Sequence, residues 1–211
     1  SWTMLNSDAG TPGTPTPDGL KDFNQLVIDP LTDSVYASTA SVGPLYRAPI
    51  VTDAFLDRPG GRIVRSDDGG ATWTTLYDFG YAVATLALDP TDPDRMYAGV
   101  VHSTQGGIYV CDDIHAVVPV FAPVAAQLDP RMEGHPQRIR VLSDGAVVAA
   151  FSERKPTNQS PFNATSGVFV LPAGSMQWED RSDPALYHYT RDLVIDPHDE
   201  SVWYATTFTS W

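Results

Sequence analysis

Three acidic side chains, Asp53, Asp57 and Glu153, fall in stretches of the chain rich in other polar functional groups. Tyr46, Arg47 and Arg58 share a segment with the first two, and Arg154 follows the third. His102 stands alone between them, and Tyr187, Tyr189 and Arg191 cluster near the C-terminal end. Paired carboxyl groups are what hydrolysis of a glycosidic bond requires, about 5–5.5 Å apart for retention and about 6.5–9.5 Å for inversion. Asp53, Asp57 and Glu153 are therefore the candidate catalytic residues. Tyr46, Arg47, Arg58, His102, Arg154, Tyr187, Tyr189 and Arg191 are the candidate ligand-binding set, since such side chains suit a polar ligand such as a sugar. Taken singly, each acid also reads as an ordinary solvated loop charge.

Residues this far apart in sequence meet only if the fold gathers their loops, and a repeat shows how it can. Leu26-Val-Ile-Asp-Pro30 followed by Ser34-Val-Tyr-Ala-Ser-Thr39 recurs as Leu86-Ala-Leu-Asp-Pro90 with Arg95-Met-Tyr-Ala-Gly-Val100. It recurs again as Leu193-Val-Ile-Asp-Pro197 with Ser201-Val-Trp-Tyr-Ala-Thr206, and more weakly as Ile139-Arg-Val-Leu-Ser-Asp-Gly145 with Ala146-Val-Val-Ala-Ala-Phe151. The marker aspartates Asp29, Asp89, Asp144 and Asp196 are 60, 55 and 52 residues apart. In each copy two β-rich runs flank a turn, because proline lacks an amide donor and constrains the residue before it. Asp144-Gly145 serves the same purpose as a two-residue hairpin turn. Third runs follow at Gly61–Arg65, Gly107–Val110 and Gly167–Leu171, and fourth runs follow Trp73 and Trp178.

Four antiparallel strands per unit of about 40–60 residues predict an all-β chain, a β-propeller of four-stranded antiparallel blades. The expected blades span about 20–80, 81–125 and 135–181, with partial blades at 1–9 and 189–211 and a Gly/Thr/Pro loop at 10–19. In a propeller the a–b and c–d hairpins occupy one face, and the b–c and d–a loops the other. The candidate residues all fall in b–c or d–a loops. The longest of these, about Ala40 to Gly60, is of a length uncommon in a compact fold unless it has a function. Three complete blades do not close a ring, which needs about four to eight. The expectation is therefore an incomplete ring, finished by the remainder of a longer polypeptide or by a second chain.

Composition narrows the partners. Thirteen basic residues against 26 acidic ones give a formal net charge of −13, which disfavours nucleic acid and anionic membranes. No apolar run is long enough for membrane insertion, since Pro119 and Pro123 interrupt the longest. A single cysteine, Cys111, excludes an internal disulfide. No cofactor is expected. Asp92, Asp94, Asp112 and Asp113 are a weak calcium signal that lacks the ligand set of a dedicated loop, and the five histidines show no zinc spacing, so no metal site is assigned.

One motif is specific. Ser66-Asp-Asp-Gly-Gly-Ala-Thr-Trp73 fits S-x-D-x-G-x-T-W through Ser66, Asp68, Gly70, Thr72 and Trp73. It reads as a stapled hairpin in which Asp68 accepts amide hydrogens of its own turn, glycine supplies positive φ, and Ser66 and Thr72 bond across the mouth. Here the chain resembles the Asp-box (BNR) repeat family, known from sialidases, xyloglucan-cleaving glycoside hydrolases and sortilin-type receptors. That resemblance implies a structural role for the box and a secreted or cell-surface protein directed at a polysaccharide or other glycan, as part of a glycoside hydrolase. The alternative is a non-catalytic propeller that binds protein or glycan, or a structural part of a surface assembly, since the other boxes are degenerate and no catalytic pair is identifiable.

Overall fold

The computed structural model describes residues 22–40, 52–158, 166–184 and 189–207. Tyr46, Arg47 and Tyr187, and the expected partial blade and loop over residues 1–19, lie outside these. The first sheet contains β1 (Asp22–Ile28), β2 (Val35–Ala40), β3 (Arg62–Ser66) and β4 (Thr74–Asp78) in chain order, with a one-turn helix α1 (Asp53–Leu56) between β2 and β3. The second contains β5 (Ala82–Asp89), β6 (Asp92–Val101), β7 (Gly107–Cys111) and β8 (Ala122–Pro123). The third contains β9 (His135–Val141), β10 (Val147–Ser152), β11 (Gly167–Leu171) and β12 (Glu179–Asp180). A two-stranded sheet follows, of β13 (Thr190–Ile195) and β14 (Trp203–Thr207). All pairings within the sheets are antiparallel. The fold is thus the expected run of four-stranded propeller blades, an incomplete ring.

Local chemistry explains the a–b turns. Asp29, Asp89, Asp144 and Asp196 each accept a hydrogen bond from the amide two residues on, at 2.8–2.9 Å. An aspartate closing its own turn in this way competes with continuation of the strand and ends it. Asp29 is fully buried. Burial works to raise its pKa, but hydrogen bonds from Thr32 and Leu31 and the charge of His115 outweigh it and hold the carboxyl below its usual range. His115, from the second blade, sits 3.4 Å from that carboxylate, across the boundary between the two blades.

The core lies between blades. β10 (Val-Val-Ala-Ala-Phe-Ser) is buried along its whole length, because a middle strand is covered on both faces by neighbouring sheets. Ile139, Val147, Ala149, Phe151 and Phe169 pack against Ala87, Tyr97 and Ile108 of the second blade. Val148, Ala150, Val168 and Val170 turn the other way, onto Leu193, Trp203 and Ala205. Between the first two blades, Tyr36, Ile63, Leu86, Met96 and Phe121 form a third cluster. The small residues at alternate positions let the sheets approach closely. Gly99 is one such place, where an added Cβ would meet the Pro136 ring of the third blade at 3.2 Å.

The Ser66–Trp73 hairpin is stapled, with one change from expectation. Ser66 and Thr72 both bond to Asp68 rather than across the mouth, at 2.7 and 2.6 Å. Asp68 also accepts the Thr72 amide at 2.8 Å. Ser66 Oγ in turn accepts the Gly70 amide at 2.8 Å, and the Trp73 indole donates to the Gly70 carbonyl at 3.1 Å. Gly69 and Gly70 take positive φ, 72° and 93°. The Thr72 hydroxyl and amide bonds and the Ser66 bond lower the Asp68 pKa to about 2.

Candidate functional site

The b–c connection of the first blade reaches across the opposite face. Its helix α1 buries Leu56 among Ala40, Ala82, Ala84 and Val101, at the upper edge of the first two blades. The helix begins at Asp53, whose amide donates to the Lys155 carbonyl of the third blade at 3.0 Å. It ends at Asp57, which accepts the Ser103 amide of the second blade at 2.8 Å and is bonded by the Ser103 hydroxyl. One turn of helix thus carries two candidate acids and docks each on a different blade.

Asp53 is buried and receives the Arg154 Nε at 2.8 Å. His135 Nε2, itself 1% exposed, stands 3.8 Å from its other oxygen. Burial alone would raise the Asp53 pKa. The nearby His135 imidazole, together with the bond and charge of Arg154, outweighs that effect and shifts it below its usual value, so the group is ionised at neutral pH. Glu153 is also fully buried, between Ser152 and Arg154 in sequence. Its charge acts on Tyr189, whose phenol is pushed up first by burial and then by Glu153. Tyr189 holds the left-handed φ of 50° that non-glycine residues seldom adopt.

Beneath these groups, between the second and third blades, lies a cavity of about 410 Å³. Phe151, Trp178, Met132, Ile108 and Leu128 give it apolar walls, and His102, Ser103, Thr104, Glu133 and Arg154 bring polar groups to it. This size and mixture are typical of small-ligand sites. Of the described candidates, His102 and Arg154 line the cavity. Asp53 and Asp57 stand behind lining residues: Asp53 holds Arg154, while Asp57 holds Ser103 and lies 3.9 Å from His102 Nε2. His102 also packs against the Tyr81 ring, centres 4.0 Å apart and planes tilted by 47°, and accepts the amides of Thr104 and Gln105 through Nδ1, which fixes the ring.

Arg58 lies elsewhere, its guanidinium 4.7 Å from the Phe55 ring centre. Arg191 belongs to the inner strand β13, where it bonds Gln137 at 2.9 Å. The sequence reading missed Glu133, an exposed carboxylate on the cavity in the d–a connection. It also took Trp178 for a hairpin tryptophan only. A Glu-Gly pair directly ahead of an inner strand is the signal that would have drawn attention to Glu133. Among the described residues no cluster of three or more His, Cys, Asp or Glu side chains could hold a metal ion. A second hollow, of about 310 Å³, lies on the other face. It is lined by the a–b turns at Asp89 and Asp144 and the c–d hairpin at Pro172–Ser175, so these hairpins share that face.

No family model matches the sequence, and no curated protein matches it. Solved structures do. A gluconolactonase from Xanthomonas campestris superposes with a TM-score of 0.59 at 13% identity, over 88% of this chain and 55% of that one. A GH74 enzyme from Niastella koreensis gives 0.61 at 17% identity, over 91% of this chain and 26% of that one. The GH74 xyloglucanase from Xanthomonas campestris gives 0.60 at 19%, over 90% and 27%. The chain therefore spans about half the length of the gluconolactonase and about a quarter of the GH74 enzymes. At such identities the likeness establishes the propeller fold.

Proposed function

We propose that this chain is part of a secreted or cell-surface Asp-box propeller that binds a polysaccharide, with one sugar unit seated between the second and third blades. The cavity carries this reading. Trp178 and Phe151 form its buried apolar back wall, while Arg154, His102 and Glu133 offer donors and an acceptor for hydroxyl groups. The stapled Ser66–Trp73 hairpin, on the face away from the cavity, supports membership of the Asp-box family in a structural role. Likeness to GH74 propellers supports a glycan ligand. The remaining blades come from the same polypeptide or a second chain. The apolar side chains Leu26 and Ile28 at one end of the arc, and Val194 and Tyr204 at the other, are exposed here and suit further sheets.

The test is calorimetric titration with a panel of soluble polysaccharide fragments, xyloglucan oligosaccharides among them. Removing the charged donor in Arg154→Ala should weaken binding about tenfold or more. A panel that binds equally well to wild type and Arg154→Ala would rule out the cavity.

A hydrolytic reading has one observation in its favour. Asp53, held ionised against Arg154, and Glu153, buried and next to Arg154 in the chain, differ in environment, as an acid and base pair would. Release of reducing ends from the bound glycan, lost in both Asp53→Asn and Glu153→Gln, would establish it. Binding without turnover would leave the binding module.

A further inference from the structure

The repeat sets the same groups at the two boundaries between complete blades, but only one boundary is filled. Between the first and second blades, His115 Nε2 lies 3.4 Å from Asp29 and 3.6 Å from Asp94. Asp29 belongs to the a–b turn of the first blade, Asp94 to the start of β6, and His115 to the connection between β7 and β8. A nitrogen base thus stands between two carboxylates. Between the second and third blades the corresponding carboxylates are Asp89, the repeat partner of Asp29, and Asp144 of the third blade's turn. The c–d connection that would bring a base to them, residues 172–178, is shorter than residues 112–121 of the second blade and carries no basic side chain. In place of the imidazole lies the hollow of about 310 Å³, with Asp89, Tyr97 and Asp144 in its lining.

Two polar atoms in that hollow lack hydrogen bonds. Asp89 is 3% exposed, and its Oδ1 accepts both the Thr91 amide at 2.8 Å and the Thr91 hydroxyl at 2.7 Å. Its Oδ2 accepts no hydrogen bond among the described residues, and Arg95 Nη1 stands 3.7 Å away. The same oxygen of Asp29 is bonded by the Thr32 hydroxyl at 2.7 Å. Tyr97, which repeats Tyr36, is 9% exposed, and its hydroxyl also makes no hydrogen bond among the described residues. The Tyr36 hydroxyl is sealed off, whereas the Tyr97 hydroxyl and Asp89 Oδ2 are not, so both open onto the cavity they line.

The charge of the cavity sets the kind of ligand. Arg95 is shared among three carboxylates: its Nε donates to Asp112 at 2.9 Å, and Nη2 lies 3.3 Å from Asp92. Asp144 adds a fourth carboxylate, so the local excess is negative and favours a positive ligand. Among the described residues no three acidic side chains are grouped to hold a metal ion, so the cation that fits is polyatomic. Val147, Leu171, Pro172 and Ala173 provide an apolar flank, which suits the stem of a charged head group.

We propose that this hollow binds an organic cation, an ammonium or guanidinium on a short aliphatic stem, in the place that His115 fills one blade earlier. The head donates to Asp89 Oδ2 and the Tyr97 hydroxyl, and the stem lies along the apolar flank. Such a head supplies only donors, which is what these two atoms lack. The site lies on the face away from Arg154 and does not rest on the glycan reading.

Calorimetric titration of the full chain with butylammonium and butylguanidinium, and with butanol as the uncharged control, tests it. Saturable binding of one cation or both is expected, and none of butanol. A glycyl-lysyl-glycine peptide separates the sources: if it binds as tightly as butylammonium, the ligand is a protein side chain, and if it is excluded, a free small molecule. Asp89→Asn should weaken the cations about tenfold or more, the usual effect of losing a hydrogen bond to a charged group. Asparagine keeps an oxygen for the Thr91 amide and puts an NH2 group where Oδ2 was, so the turn is retained. Tyr97→Phe should weaken them about threefold or more, and it remains informative if Asp89→Asn fails to fold. The proposal is overturned by no saturable binding of either cation at concentrations up to about 10 mM. It is equally overturned by butanol binding as tightly as butylammonium, or by affinities that both variants retain. Each of these failures would leave the polysaccharide titration on the other face as it stands.

Discussion

Replacing Asp53 with alanine should release the b–c segment of the first blade from the third blade. The Asp53 side chain is 10% exposed and that of Arg154 27%, so the pair is shielded but not sealed from water. Breaking a fully buried pair costs about 3–5 kcal/mol. Partial exposure of Arg154 lets water recover some of its charge, and the Asp53 amide keeps its bond to Lys155. The net loss should then be about 2 kcal/mol. For a chain of this length that corresponds to a fall in Tm of about 4–8 °C, measured by differential scanning calorimetry at pH 7. The pH dependence carries a definite sign. The folded pKa of Asp53 lies below its unfolded value of 3.8, so its contribution is complete above that value and disappears as pH falls through the folded pKa. The wild-type advantage should therefore hold through neutral pH and shrink below about pH 4. Asp53→Ala, Arg154→Ala and the double variant complete a cycle. A Tm change under about 1 °C, or single effects that simply add in the double variant, would show that no clamp exists.

Leu56 anchors the same segment from the other side, at 1% exposure. Leu56→Ala should cost about 2–5 kcal/mol by thermal unfolding, the range for a buried leucine whose site cannot collapse. Asp68, the staple of the Ser66–Trp73 hairpin, should titrate near pH 2 when its carboxyl carbon is followed by NMR, because three bonds hold its ionised form. A midpoint near 3.8, the ordinary value for an aspartate, would mean the staple is open in solution.

The fold was legible because its punctuation is chemical. An aspartate that closes its own turn leaves a mark in the sequence, so Asp29, Asp89 and Asp196 announce the a–b hairpins, and Asp144 does so with glycine in place of proline. The β-bulges of the inner strands, at Asn24, Ala84, Gln137 and Arg191, left no such mark. A register shift is a property of two paired strands, and these four residues share no side-chain chemistry that would reveal it. The site was legible in part. Loop length drew attention to the segment of Asp53 and Asp57, and the blade pattern put His102 and Arg154 on the same face. Where the segment lands could not be read. Asp53 and Arg154 are 101 residues apart, and only the curvature of three successive blades brings them to 2.8 Å. The same curvature makes Trp178 and Glu133 walls of one cavity, although locally one reads as a hairpin residue and the other as a loop charge.

The central claim is that a glycan occupies the cavity between the second and third blades, and the indole protons report on it directly. Trp178 lines the cavity, whereas Trp73 and Trp203 serve other packing sites and donate to the Gly70 and Glu200 carbonyls at 3.1 and 2.7 Å. In a nitrogen–proton correlation spectrum with each tryptophan assigned by substitution, the oligosaccharide selected by calorimetry should shift the Trp178 indole and leave Trp73 and Trp203 in place. A bound oligosaccharide that moves Trp73 or Trp203 and not Trp178 would contradict the account.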